Sequence, residues 1–212
     1  MHRMLDYCFN RLRDRFQFHK CHHDLRLDTC SKMFISKLYK SQAHYAHGAT
    51  MCTSACIFWV VGCLQRIITP LCSIEDMDVL MKHAADVHSK LVLRGREGML
   101  QQHEIFQATR VPENIDVKEL GVYSGVPDSS FPTDFSVHVH NIPVLCVPDT
   151  AVVLTGGRHT SAFVHIGTDL FCFDSLRGEV CMVQGREHFI ELLHASHGAC
   201  KEMTLSLLTR KK

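Results

Sequence analysis

The sequence predicts an α+β fold in which helices come first and mostly antiparallel strands follow. Two observations carry this expectation. Up to Pro112 the apolar residues recur at helical spacing, whereas after Asn114 the chain changes to short runs rich in β-branched residues, punctuated by proline and glycine. A third is size: 212 residues, 46% hydrophobic and 21% charged, suit one globular core and exclude a multidomain machine.

The elements follow in chain order. Residues 2–17 place Leu5, Phe9, Leu12 and Phe16 on one stripe, the mark of an amphipathic helix. A short apolar pattern comes next at Met33, Phe34, Leu38 and Tyr39. Residues 41–51 are small and polar and read as a loop feeding a helix over 52–68, which Pro70 stops. Its core, residues 55–64, is apolar on nearly every face but far shorter than the roughly 20 residues of a membrane span, so it reads as a buried helix and no membrane partner is expected. Ser73 with Asp76 is a capping pattern for a helix to about Leu93, with Met77, Leu80, Met81, Ala84, Val87 and Leu91 inward. Arg94, Gly95 and Gly98 break it, and a short helix over 99–109 ends before Pro112. Strands are expected over 118–123, 136–147, 151–154, 160–166, 169–173 and 180–183, followed by a helix over 186–195 and a strand over 203–208. Gly167-Thr168 suits a tight hairpin turn. The expected organisation is an N-terminal helical extension, 1–40, and one compact unit, 41–212.

Lys plus Arg (23) and Asp plus Glu (22) nearly cancel, so no positive field argues for a nucleic-acid partner. Eleven cysteines is an odd number, and the charged N-terminal segment is no secretory signal, so a reducing compartment is expected.

Chemistry enters at Cys52. A thiol acts as a nucleophile through its thiolate, and a helix N-terminus favours that negative charge through its free N–H groups and dipole. Cys52 stands at such a start, preceded by the small residues Gly48, Ala49 and Thr50. Downstream, a hairpin closed at Gly167-Thr168 sets His159 opposite Leu176, with Asp174 two residues along on the same face. Ala162, Val164, Phe171 and Phe173 fall on the other face as a core stripe, and His165 lies far from Asp174. A carboxylate beside an imidazole fixes its tautomer, and the imidazole takes the thiol proton and later protonates the leaving amine. Acyl transfer also needs oxyanion donors, for which the Cys52 backbone N–H and the Gln42 side chain are available.

Ser41-Gln42, the glycine-containing loop, Met51-Cys52-Thr53-Ser54-Ala55-Cys56, Thr155-Gly156-Gly157 and Phe173-Asp174-Ser175 together resemble the herpesvirus large-tegument-protein deubiquitinase domain, a papain-like cysteine peptidase. The resemblance covers roughly residues 40 to 195. It implies a papain-like fold with a buried nucleophile helix packed on a mostly antiparallel sheet, and an entry-loop Gln at Gln42. It further implies a nucleophile at Cys52, a late-strand Asp at Asp174, and ubiquitin or a ubiquitin-like protein as partner. The sequence departs from that pattern at Leu176, where the family has its His, so that His159 substitutes. The implied setting is host cytoplasm and nucleus, or the virion tegument.

Other residues point to no further chemistry. Cys8, His19, Cys21, His22, His23 and Cys30 match no regular zinc-finger spacing, so no metal and no cofactor are expected. His138 and His140 alternate with valines as on a solvated strand face, Phe58 and Trp59 read as core, and Arg94-Gly95-Arg96 is too little for a phosphate site. The leading expectation is a thiol hydrolase cleaving a ubiquitin-type isopeptide or peptide bond. The alternatives are a non-catalytic viral module that binds host proteins on the same scaffold, and a thiol amidase with another substrate.

Overall fold

The computed structural model describes residues 35–93, 100–124, 147–197, 200 and 202–211, with backbone only for 121–124. The expected helix over 2–17, the cysteines and histidines weighed between Cys8 and Cys30, and the expected strand over 136–147 lie outside the described residues.

Strand β1 (Ser36–Leu38) leads to a single 3-10 turn (Gln42–His44), then to helices α1 (Cys52–Leu64), α2 (Ile74–Val92) and α3 (Gln102–Thr109). Strands β2 (Ile115–Ser124), β3 (Thr150–Gly156), β4 (His159–Ile166), β5 (Asp169–Asp174) and β6 (Glu179–Met182) follow, and helix α4 (Gly185–His197) and strand β7 (Glu202–Arg210) come last. The described strands form one seven-stranded sheet in the order β1-β6-β5-β4-β3-β7-β2, with every neighbouring pair antiparallel.

All thirteen residues of α1 are buried, as a helix apolar on every side requires. Its neighbours are the sheet and the helices α2 and α3. Ala162, Val164, Phe173 and Val180 share the α1 core, whereas Phe163, Cys172 and Cys181 face Phe189 and Leu193 of α4. The sheet therefore carries two cores, one on each face, and the period-two alternation of β4 sorts its residues between them. Ser73 caps α2, its Oγ accepting from Asp76 N at 3.0 Å.

Several element ends shift by one to three residues, and two larger departures from expectation have local reasons. Helix α1 stops at Leu64 because the chain turns back at Arg66, whose φ is 59°, and the N–H groups of Ile67 and Ile68 both donate to the Gly62 carbonyl. Residues 36–38, expected within a helical extension, instead pair with β6 (Ser36 with Cys181, Leu38 with Glu179) and satisfy what is otherwise an open sheet edge. Lys37 and Tyr39 secure this strand by donating to the Cys72 carbonyl at 2.6 and 2.9 Å.

The β4–β5 hairpin has the register expected from its turn. Ile166 faces Asp169, Val164 faces Phe171 and Ser161 faces Asp174. Gly167 makes the tight turn at a φ of 65°, a conformation costly for any residue with a Cβ.

Candidate active site

Cys52 is the first residue of α1, and Met51 before it offers no side-chain cap. The first turn thus presents N–H groups that no cap side chain occupies, which favours negative charge at the sulfur. The residue is only 1% exposed.

The segment entering α1 is held by a histidine of α2. His88, fully buried, bonds Thr50 Oγ1 through Nε2 at 2.9 Å and Ser54 Oγ through Nδ1 at 3.3 Å. It thereby ties the residue two before Cys52 to the residue two after. Burial, helped by the neighbouring His47, pushes the His88 pKa down to about 4, so the ring is neutral at pH 7.

His159 opens β4 and Asp174 closes β5, and the hairpin register sets His159 Nε2 3.3 Å from Asp174 Oδ1. This is an ion-pair distance, although the N–H is not aligned on the oxygen as a linear hydrogen bond requires. Burial alone lowers the His159 pKa, but Asp174 and the Cys52 sulfur outweigh it and push the value up to about 9. The carboxylate is positioned in turn: Oδ1 accepts the N–H groups of Leu176 and Arg177 at 3.0 and 3.1 Å. Burial pushes the Asp174 carboxyl up, yet His159, those donors and the Arg177 guanidinium hold it below the usual carboxylate range. Leu176 meets Asp174 through its backbone and is 53% exposed, whereas the side chain at Asp174 is the imidazole of His159. His165 pairs with Leu170 toward the other end of the hairpin.

A second histidine that sequence reasoning missed stacks on the first. His197, at the end of α4, lies 5.5 Å from His159 between ring centroids at an interplanar angle of 27°. Its Nε2 bonds Ser161 Oγ at 2.8 Å, and burial together with the charge on His159 pushes its pKa down to about 4. A neutral ring thus backs a ring held charged. The signal was a stripe: Phe189, Leu193 and His197 recur every fourth residue, and all three are buried. Likewise His88 falls four residues after Ala84 and three before Leu91 on the buried stripe of α2.

Gln42 is 2% exposed and belongs to the same neighbourhood by its partners. Its backbone N–H donates to the Ser175 carbonyl at 2.9 Å, and Ser175 Oγ donates to Gln42 Oε1 at 2.7 Å. Ser175 follows Asp174, so one short segment orients both the His159 partner and the glutamine. Gly48 lies directly on this loop, where an added Cβ would fall 2.2 Å from the Gln42 carbonyl oxygen. No group of three or more metal-ligating side chains occurs among the described residues.

No protein-family model matches the sequence, and no curated protein does either. Solved structures do match. The ubiquitin-specific protease of murine cytomegalovirus tegument protein M48, solved in complex with a ubiquitin-based suicide substrate, superposes with a TM-score of 0.58, covering 84% of this chain and 88% of that one at 14% identity. The fold is papain-like. The Pseudomonas avirulence protein AvrPphB also matches, with a TM-score of 0.45 at 12% identity over 80% of this chain and 95% of that one.

Proposed function

We propose that the protein is a cysteine peptidase that hydrolyses isopeptide or peptide bonds at the tail of ubiquitin or a ubiquitin-like protein. The observation that carries this reading is the convergence of a helix-initial Cys52 with the His159–Asp174 pair, whose mutual charge keeps the imidazole protonated beside the sulfur. The Cys52 thiolate attacks the scissile carbonyl carbon and the carbonyl electron pair moves to oxygen. The tetrahedral intermediate then collapses to a thioester as His159 gives its proton to the departing amine. Water, deprotonated by His159, attacks the thioester, releasing the carboxylate product and returning the proton to the imidazolium–thiolate pair. Asp174 holds the ring and stabilises its charge through Nε2, leaving Nδ1 for the sulfur. With Gln42 Oε1 committed to Ser175, Nε2 is the end left to donate to the oxyanion beside the Cys52 N–H.

Two observations support the substrate class. A nucleophile 1% exposed suits a thin chain without side chains, as in a tail ending in paired glycines. The fold likeness to a protease solved with a ubiquitin-based substrate supports the same class.

The test is incubation with a ubiquitin probe carrying a C-terminal electrophile, read by intact mass on the wild type, Cys52→Ala and His159→Ala. The expected result is a single adduct, absent in Cys52→Ala and formed at least about 100-fold more slowly in His159→Ala. A well-folded wild type that forms no adduct sinks the ubiquitin reading and favours a binding module or a different acyl substrate.

A further inference from the structure

A chain of buried polar side chains, unused in the mechanism above, ends at the nucleophile. Gln102, 3% exposed on α3, donates from Nε2 to Thr155 Oγ1 at 2.8 Å. Thr155 Oγ1 lies 3.0 Å from Thr160 Oγ1, which in turn lies 2.9 Å from Thr53 Oγ1 and 3.7 Å from Cys52 Sγ. Thr160 and Thr53 are fully buried, so these groups satisfy one another.

The direction of the chain can be read from its far end. Gln102 Nε2 also faces the carbonyl oxygens of Val153 and Thr204 at 3.2 and 3.1 Å, which accept only, so this end of the amide is the nitrogen. The two amide protons are shared among three acceptors, and an amide nitrogen does not accept, so the Thr155 proton cannot point back to Gln102 and is free to point to Thr160. Either hydroxyl of the Thr53–Thr160 pair can donate; with Thr53 donating, both lone pairs of Thr160 Oγ1 are taken and its proton is left for the sulfur 3.7 Å away. A neutral thiol can donate to Thr160, but a thiolate can only accept, and the polarity set by Gln102 suits the thiolate. Gln102 Oε1 is buried with no hydrogen-bond partner, a cost that an apolar residue would avoid, so the site retains the amide for its donor end. Strand and helix are further fixed at this point by Cys56 Sγ, which donates to the Thr160 carbonyl at 3.3 Å.

We propose that Thr160 is a catalytic residue whose hydroxyl donates a hydrogen bond to the Cys52 sulfur, with Gln102 and Thr155 as positioning residues that aim that donor. The proposal rests on Cys52 being the nucleophile. It concerns the face of the sulfur that Thr160 covers, whereas His159 reaches it from the first residue of β4. No bond is made or broken at Thr160; it keeps negative charge on sulfur in the free enzyme and when the thioester is cleaved.

The test is alkylation of the full chain by iodoacetamide from pH 5 to 10, with the label on Cys52 distinguished from that on Cys56 and Cys63 by fragmenting the peptide that carries all three. Thr160→Val is expected to move the midpoint of Cys52 alkylation up by about one pH unit and to slow it about tenfold at low pH. Thr160→Ser is expected to restore both, and Thr155→Val to move the midpoint the same way by less. Unchanged midpoints in folded Thr160→Val and Thr155→Val overturn the proposal, and where Thr160→Val does not fold, Thr155→Val decides alone. Iodoacetamide needs no recognition surface, so this result is independent of whether the ubiquitin probe reacts.

Discussion

His88 and His159 both reach the first turn of α1, one from a helix and one from the sheet, the first fully buried and the second with a side chain 14% exposed, yet their proton affinities are driven apart. His88 meets two hydroxyls and its pKa falls to about 4; His159 meets a carboxylate and a sulfur and its pKa rises to about 9. Burial is the first cause in both cases and acts downward in both. What separates them is the charge beside His159, supplied by Asp174 first and by the Cys52 sulfur second. The neutral imidazole can only position chain, by tying Thr50 to Ser54, while the charged one can stabilise a thiolate and deliver a proton. His197 sharpens the contrast, because it touches His159 and is pushed down to about 4 partly by that charge.

The largest effect should come from removing the ionised neighbour. Asp174→Asn takes away the larger of the two causes that raise the His159 pKa and frees the ring to reorient. It is expected to lower kcat/KM for a ubiquitin-derived substrate by about 10²- to 10⁴-fold. It should also move the alkaline limb of the pH–rate profile, set near pH 9 by loss of the His159 proton, toward neutrality. A profile whose alkaline limb stays in place breaks the comparison, since Asp174 is then not what distinguishes the two histidines.

A smaller effect, on stability more than rate, is expected from His88→Leu. At neutral pH it leaves the Thr50 and Ser54 hydroxyls without their shared partner and costs about 1–3 kcal/mol. The sign reverses in acid. A histidine with a folded pKa of about 4 and an unfolded value near 6.5 leaves stability intact above pH 6.5 and drains it as pH falls toward 4. Urea unfolding at pH 7 and pH 5 should therefore show a wider gap for the wild type than for the variant. The slope is reduced and not abolished, because His197 titrates in the same window. His159 acts oppositely: its contribution is complete below pH 6.5 and disappears as pH rises toward 9.

The same comparison explains what the sequence made legible. The His159–Asp174 approach follows from one turn and a period of two: with Gly167-Thr168 at the tip, the partners of every β4 residue down to Ser161 are settled, and a diagonal contact follows. Capping at Ser73 and the buried run after Cys52 are equally local. His88 and His197 were missed because a histidine on an apolar stripe looks like an interruption of it, and only the tertiary contacts show which histidine meets hydroxyls and which meets charge. The Gln102–Thr155–Thr160 chain joins a helix to a hairpin far along the sequence, and threonines on strands read first as β-formers. Strand β1 was hidden because three residues at an edge carry too little periodicity to announce themselves.

The smallest effect is expected where the resembled family places its histidine. Leu176 is 53% exposed, and its backbone N–H already donates to Asp174 Oδ1. Leu176→His should change stability by no more than about 0.5 kcal/mol, as an exposed substitution does. Cleavage of a ubiquitin-derived substrate should change by less than about twofold, and the His159→Ala variant should stay inactive when the new histidine is added. Recovery of activity in that double variant would mean that Asp174 serves an imidazole from either direction. The contrast between His88 and His159 would then belong to the carboxylate alone and not to the hairpin that delivers the ring.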